Sequence, residues 1–224
     1  MTPQHVLVWA RETGALVFED DYDSEYRYSG RPIPALQGLD RAGQVVFAGS
    51  FSKVLFPSLR LGYLVVPPDL VDRIAAVKSI ANRGAPLLDQ AVLADFIAQG
   101  HFGRHVRRMR AIYAERLAVL LESAKHCLTG LLAFSPVEAG LQTTAWLCEE
   151  TDSVAAAASA ARRGVEVTPI RHHARRLPAR AGVVMGFAAV DPDEIRRGVR
   201  DLAAALEECR QTGSTDRSTV RGRR

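Results

Sequence analysis

The sequence predicts an α/β fold, with a mainly parallel sheet in the first part of the chain and a smaller α+β unit after it. Three observations lead there. Two short apolar runs, "ALVFEDD" and "QVVFAGSFSK", each close in polar residues, as strands do when they deliver functional groups at their C-terminal ends. Helical periodicity then fills the middle of the chain. After Leu128 the pattern turns to short strands and helices, closing on a capped helix.

Taken in order, residues 4–13 read as a helix that stops at Gly14, a C-cap residue. "ALVFEDD" follows as a buried strand, and "SGRPIPALQGLD" as a Pro/Gly-marked loop. "QVVFAGSFSK" is the second strand and "LRLGYLVVP" the third, stopped by Pro67 and Pro68. "DLVDRIAAVKSI" is a helix, and long helical periodicity runs from Pro86 to His126 with a break expected at Gly100–Gly103. Beyond it, "LLAFSPVEAGLQTTAWLCEE" suits two short strands, "DSVAAAASAARRG" a helix, and "VEVTPI" and "AGVVMGFAAV" a strand each. The closing helix starts at Asp191-Pro192, with acids in its first turn. The expected organisation is residues 1–100 as the larger unit, 101–208 as connecting helix and small C-terminal domain, and 209–224 as a disordered basic tail.

Bulk properties exclude several classes. The net charge is +4 over 224 residues, and much of it sits in the tail, so the folded body is nearly neutral and a nucleic-acid-binding body is not indicated. The basic cluster Arg104, Arg107, Arg108 and Arg110 reads as a solvated helix face. Cys127, Cys148 and Cys209 form no CxxC pair, which suits a reducing compartment without disulfides or a zinc site. With no apolar run of spanning length and no signal-peptide pattern at the N-terminus, a cytoplasmic protein is expected.

Lys53 stands out because the chain has three lysines against 26 arginines. An amine can be tuned to a neutral nucleophile, whereas a guanidinium keeps its proton. "EDDYDSEY" alone reads as a solvated acidic loop and "SFSK" alone as a turn. Each closes a strand, however, so a carboxylate and an amine converge on one crevice, with Arg60 bringing fixed charge to the same rim.

The stretch "EDDYDSEYRYSGRP…LQGLD…VVFAGSFSKVLFPSLRLGYLVVP" resembles the pyridoxal 5'-phosphate (PLP) segment of fold-type-I aminotransferases. Within them it is most similar to the aminotransferase-like domain of MocR/GabR-type regulators of the GntR family. "HVRRMRAIYAERLAVL" and "GFAAVDPDEIRRGVRDLAAAL" extend the resemblance over nearly the whole chain except the tail. It implies a partial fold-type-I large domain followed by the small domain. It also implies that Lys53 forms a Schiff base with PLP, that Asp20 pairs with the pyridine nitrogen and that Tyr22 hydrogen-bonds the ring's phenolic oxygen. Ser50 and Arg60, with Ser52 as a weaker candidate, would bind the phosphate. Asp21, Asp23 and Glu25 are expected to set the loop. Arg171 is the candidate for a substrate carboxylate, since Val184 and Met185 stand where the last strand usually supplies an arginine; a surface arginine is an equal reading. His172 and His173 read as loop histidines.

The sequence also departs from the family pattern. Gln142 follows Gly140-Leu141 where a histidine is expected. The winged helix-turn-helix domain and the first half of the PLP domain, with its glycine-containing phosphate loop, would lie upstream of "MTPQ", so the chain reads as N-terminally truncated. Three functions stay open: an effector-sensing PLP domain of a regulator, a working aminotransferase acting on an amino acid and a 2-oxo acid, and a remnant without cofactor. A homodimer is implied by the resemblance, with a small amine or amino acid as ligand and DNA reached only through the upstream module.

Overall fold

The structure is a computed structural model that describes residues 2–82, 86–148, 151–176 and 178–221. The chain divides into two compact units, Met1–Arg108 and Met109–Arg224. The division falls inside a long helix, a little beyond the expected boundary at residue 100.

The first unit opens with α1 (Pro3–Thr13), closed by Gly14 in the left-handed conformation at φ 67°. Strand β1 (Val17–Asp21) pairs in parallel with β2 (Val45–Ser50), placing Asp20 opposite Ala48 and Asp21 opposite Gly49. Strand β3 (Gly62–Val65) pairs antiparallel with β2, with Ser50 opposite Gly62. The three-stranded sheet, in the order β1-β2-β3, is therefore mixed. The link from Ser50 to Gly62 has no room for a crossover helix, so the chain must turn back on itself.

The loop expected over residues 29–40 contains a helical turn, α2 (Leu36–Leu39). It forms because the Glu19 carboxylate, on β1, accepts the backbone N–H groups of Leu36 and Gln37 at 2.8 and 3.0 Å. Those donors would otherwise be unsatisfied at a helix start. Asp40 then accepts from the N–H groups of Ala42, Gln44 and Val45 at 2.6–2.8 Å and turns the chain into β2.

Helices α3 (Val71–Asn82), α4 (Leu87–Ala98) and α5 (His101–Cys127) follow. The break between α4 and α5 is at Gly100, at φ 72°, while Gly103 lies within α5. Arg104, Arg107, Arg108 and Arg110 are exposed on α5. The core of this unit is small, built on Tyr26, Val45, Val54, Leu61 and Leu93. Strand β1 departs from the buried strand expected of it: Phe18 is 64% exposed, and Asp20 shares its exposed face.

The second unit is an antiparallel sheet in the order β4-β5-β7-β6, from β4 (Leu132–Phe134), β5 (Gln142–Leu147), β6 (Thr168–Pro169) and β7 (Gly182–Gly186). The "VEVTPI" strand shrinks to β6: residues 165–167 stay outside the ladder, and Pro169 has no N–H to carry it further. A 3-10 turn, Ile170–His173, follows at once. Helix α6 (Ser153–Arg162) is capped by Asp152, whose carboxylate accepts from Val154 N–H. Helix α7 (Pro192–Arg221) starts from a reciprocal cap: Asp191 accepts from Asp193 and Glu194 N–H, while Glu194 accepts from Asp191 N–H. Phe187, Val183, Leu202, Leu206 and Leu128 are almost wholly buried in its core.

Helix α7 continues to Arg221, so the stretch expected as a disordered tail from residue 209 is helical that far. No proline follows Pro192 to stop it. Residues 222–224 lie outside the described residues. Among the described residues, no helix is long and apolar enough to cross a membrane.

Candidate functional site

Strand ends assemble the site in the first unit. Asp20 is the fourth residue of β1, and Ser50 ends the parallel neighbour β2. Lys53 and Ser52 lie in the turn that leaves β2. Arg60 stands two residues before β3, whose first residue, Gly62, faces Ser50. Tyr22 follows β1 directly. The topology therefore brings Asp20, Tyr22, Ser50, Ser52, Lys53 and Arg60 to one end of one sheet, where open α/β sheets bind their ligands.

The backbone of that end is tightly held. Phe51 N–H donates to Leu61 O at 3.0 Å, Leu55 N–H to Phe51 O at 2.8 Å, and Ser52 N–H to Ser50 Oγ at 3.2 Å. Gly62 allows the two strands to meet: a β-carbon there would stand 2.9 Å from Gly49 O. The Phe51 ring packs against Tyr63 and edge-on against Phe102 of α5, with centroids 5.4 and 5.9 Å away.

The side chains are available by contrast. Asp20, Tyr22, Lys53 and Arg60 are exposed, and none has a hydrogen bond or ion pair among the described residues. Arg60 sits at φ 52°, ψ 24°, the one non-glycine residue at positive φ among those described. A left-handed arginine costs roughly 1 kcal/mol, and strain of this kind gathers at ligand sites. Burial pushes the Tyr63 hydroxyl above its ordinary pKa, and the nearby Glu25 and Asp21 carboxylates add to the rise. Asp21 is taken up by the loop, accepting from Ser24 N–H at 3.1 Å and Ser24 Oγ at 2.6 Å.

An amine, a carboxylate, hydroxyls and a guanidinium at one strand end match the donor set of a phosphorylated pyridine aldehyde. The residues present fit PLP. Arg171 lies in the second unit, in the Ile170–His173 turn, where it pairs with Asp152 at 3.7 Å across exposed surface. His172 and His173 are exposed beside it.

Nothing in the sequence marks Tyr26 or His105 for a role at this site. Both reach the carbonyl of Val54, next to Lys53. Neither contact has a sequence signal, because the partners are 28 and 51 residues from Val54. Glu19 likewise lies within the acidic run, where nothing distinguishes it from its neighbours.

Comparison with known proteins decides the family. The profile of "Aminotransferase class I and II" matches residues 4–202. The chain belongs to the aminotransferase class I and II family. Relatives of this family member include the probable rhizopine catabolism regulatory protein MocR of Rhizobium meliloti, 40% identical over 92% of this chain and 42% of that protein. The HTH-type pyridoxine biosynthesis transcriptional regulator PdxR of Corynebacterium glutamicum is 29% identical over 90% of this chain and 43% of that protein. The chain thus spans less than half the length of these relatives. Among solved structures, the multiple substrate aminotransferase of Thermococcus profundus superposes with TM-score 0.86 at 26% identity, over 94% of this chain and 52% of the other. Kynurenine aminotransferase of Pyrococcus horikoshii gives TM-score 0.84 at 27% identity, over 92% and 51%. The fold is that of fold-type-I PLP-dependent aminotransferases, and the family implies PLP as the cofactor.

Proposed function

We propose that this chain is the PLP-binding, aminotransferase-like effector domain of a MocR/GabR-type transcription regulator, which holds PLP on Lys53 and senses an amine or amino acid. The observation that carries the reading is the convergence of Asp20, Lys53 and Arg60, exposed and uncommitted, at one end of the β1–β2–β3 sheet. The regulator lineage is favoured by 40% identity to MocR, against 23% to an aromatic-amino-acid aminotransferase of Thermococcus litoralis over a similar span.

PLP when bound supplies an electron sink for bonds at an amino-bearing carbon. Lys53 Nζ would be the amine that holds the cofactor's aldehyde group, and it would take up or release a proton there. The Asp20 carboxylate would accept a hydrogen bond from the ring nitrogen and favour its protonated form. Tyr22 would donate to the phenolic oxygen, while Ser50, Ser52 and Arg60 would bind the phosphate, Arg60 with charge-assisted bonds. Arg171 is assigned to the ligand carboxylate, and Asp152 competes for its guanidinium. A homodimer in the cytoplasm belongs to this reading, with DNA contacted by a helix-turn-helix module outside these 224 residues.

A second reading, a working aminotransferase, is favoured by the similarity to solved aminotransferases at 26–27% identity. Purifying the chain with PLP and recording the visible absorbance band tests both. A Lys53→Ala variant loses the band if Lys53 holds the cofactor; a retained band refutes the assignment. Multiple turnovers with an amino donor and a 2-oxo acid establish the enzyme, and a ligand-induced spectral change without turnover establishes the sensor.

A further inference from the structure

The turn that carries Lys53 is fastened from outside by two side chains on one oxygen. Val54 O accepts from the Tyr26 hydroxyl at 3.0 Å and from His105 Nε2 at 2.9 Å. A carbonyl oxygen only accepts, so Nε2 is the protonated ring nitrogen. Tyr26 is wholly buried and Val54 is 1% exposed, so losing a donor leaves that carbonyl poorly placed to recruit water. Three residues earlier on each element, Phe51 packs edge-on against Phe102. Residues three apart share a face of α5, so Phe102 and His105 grip the turn together. The backbone on either side of Lys53 is anchored while its amine has no partner among the described residues.

We propose that His105 is a positioning residue for Lys53. By holding Val54 O it fixes where the amine leaves the turn relative to the ends of β1 and β2, and Tyr26 shares the acceptor. The proposal rests on the PLP role given to Lys53 above. Among the described residues His105 has no hydrogen bond to the amine or to the strand ends; it acts through the backbone.

The test titrates the 224-residue chain with PLP, reduces it with borohydride and quantifies the pyridoxyl group on the Lys53 peptide by mass spectrometry. In parallel, amide hydrogen exchange of the peptide spanning Phe51–Leu55 reads the turn without cofactor. His105→Phe keeps a ring and removes the donor; His105→Gln restores a donor near the reach of Nε2. H105F is expected to raise the half-saturating PLP concentration about fivefold to tenfold and to speed exchange at Leu55, with H105Q restoring both. Unchanged half-saturation in H105F overturns the proposal, even with faster exchange, because His105 is then a brace only. Losses that H105Q does not restore overturn it as well. A parent chain that takes up no pyridoxyl group on Lys53 defeats the PLP reading itself; a labelled parent beside an unaffected H105F defeats the positioning alone.

Discussion

Gly49 and Tyr63 meet across the β2–β3 pair so closely that a β-carbon at position 49 would stand 2.6 Å from the Tyr63 hydroxyl oxygen. The Tyr63 ring also contacts Phe51, two residues before Lys53. Gly49→Ala therefore has to displace a ring that packs against the lysine turn. Overpacking of this kind costs about 1–3 kcal/mol. A lowered urea midpoint together with a changed tyrosine fluorescence is the expected outcome.

Arg60 holds a left-handed backbone that glycine adopts without penalty. Arg60→Gly is predicted to stabilise the chain by less than about 1 kcal/mol, because relief of that strain exceeds the unfolded-state entropy that glycine adds. The same change removes the proposed phosphate cation, so half-saturation by PLP rises. Denaturant unfolding and a PLP titration on one preparation read the two opposed effects.

Asp40 gives the first unit an acid-sensitive joint. Burial pushes its carboxyl up, but the N–H groups of Ala42, Gln44, Val45 and Gly43 together outweigh this and hold it below the ordinary 3.8. Because the folded pKa is depressed, the stabilisation is present above the unfolded value and is lost as pH falls through the folded one. Urea midpoints measured between pH 6 and pH 2 decline steeply below about 4 in the parent and less in Asp40→Asn.

The second unit rests on its core rather than on its surface ion pairs. Leu202, 2% exposed, is predicted to cost about 2–5 kcal/mol when cut to alanine. Arg163 pairs with Glu208 and so ties α6 to α7, but both side chains are substantially exposed. Arg163→Ala is expected to leave the unfolding midpoint nearly unchanged. Thermal melts of the two variants should separate clearly.

Much of this was legible in the sequence. Gly14 ends its helix as a C-cap glycine, the break expected at Gly100–Gly103 falls at Gly100, and Asp191 caps α7 as its spacing predicts. The strand ends that carry Asp20 and Lys53 were visible as apolar runs closing in polar residues. What escaped depends on contacts remote along the chain. Helix α2 exists because Glu19 reaches its first amides, and the Lys53 turn is pinned by His105, 51 residues from its acceptor. Propensity also has no means of giving Arg60 its positive φ, since neighbouring structure imposes it against an intrinsic cost. The exposure of Phe18 escaped for the same reason, because an apolar residue in a strand reads as buried whatever covers it.

The central claim is that Lys53 is the residue that takes PLP. Borohydride reduction of the PLP-treated chain followed by peptide mapping tests it most directly. The account predicts one pyridoxyl group, on the peptide containing Lys53, and none on those of Lys78 or Lys125. Labelling spread evenly over the three lysines, or undiminished in Lys53→Ala, would contradict it.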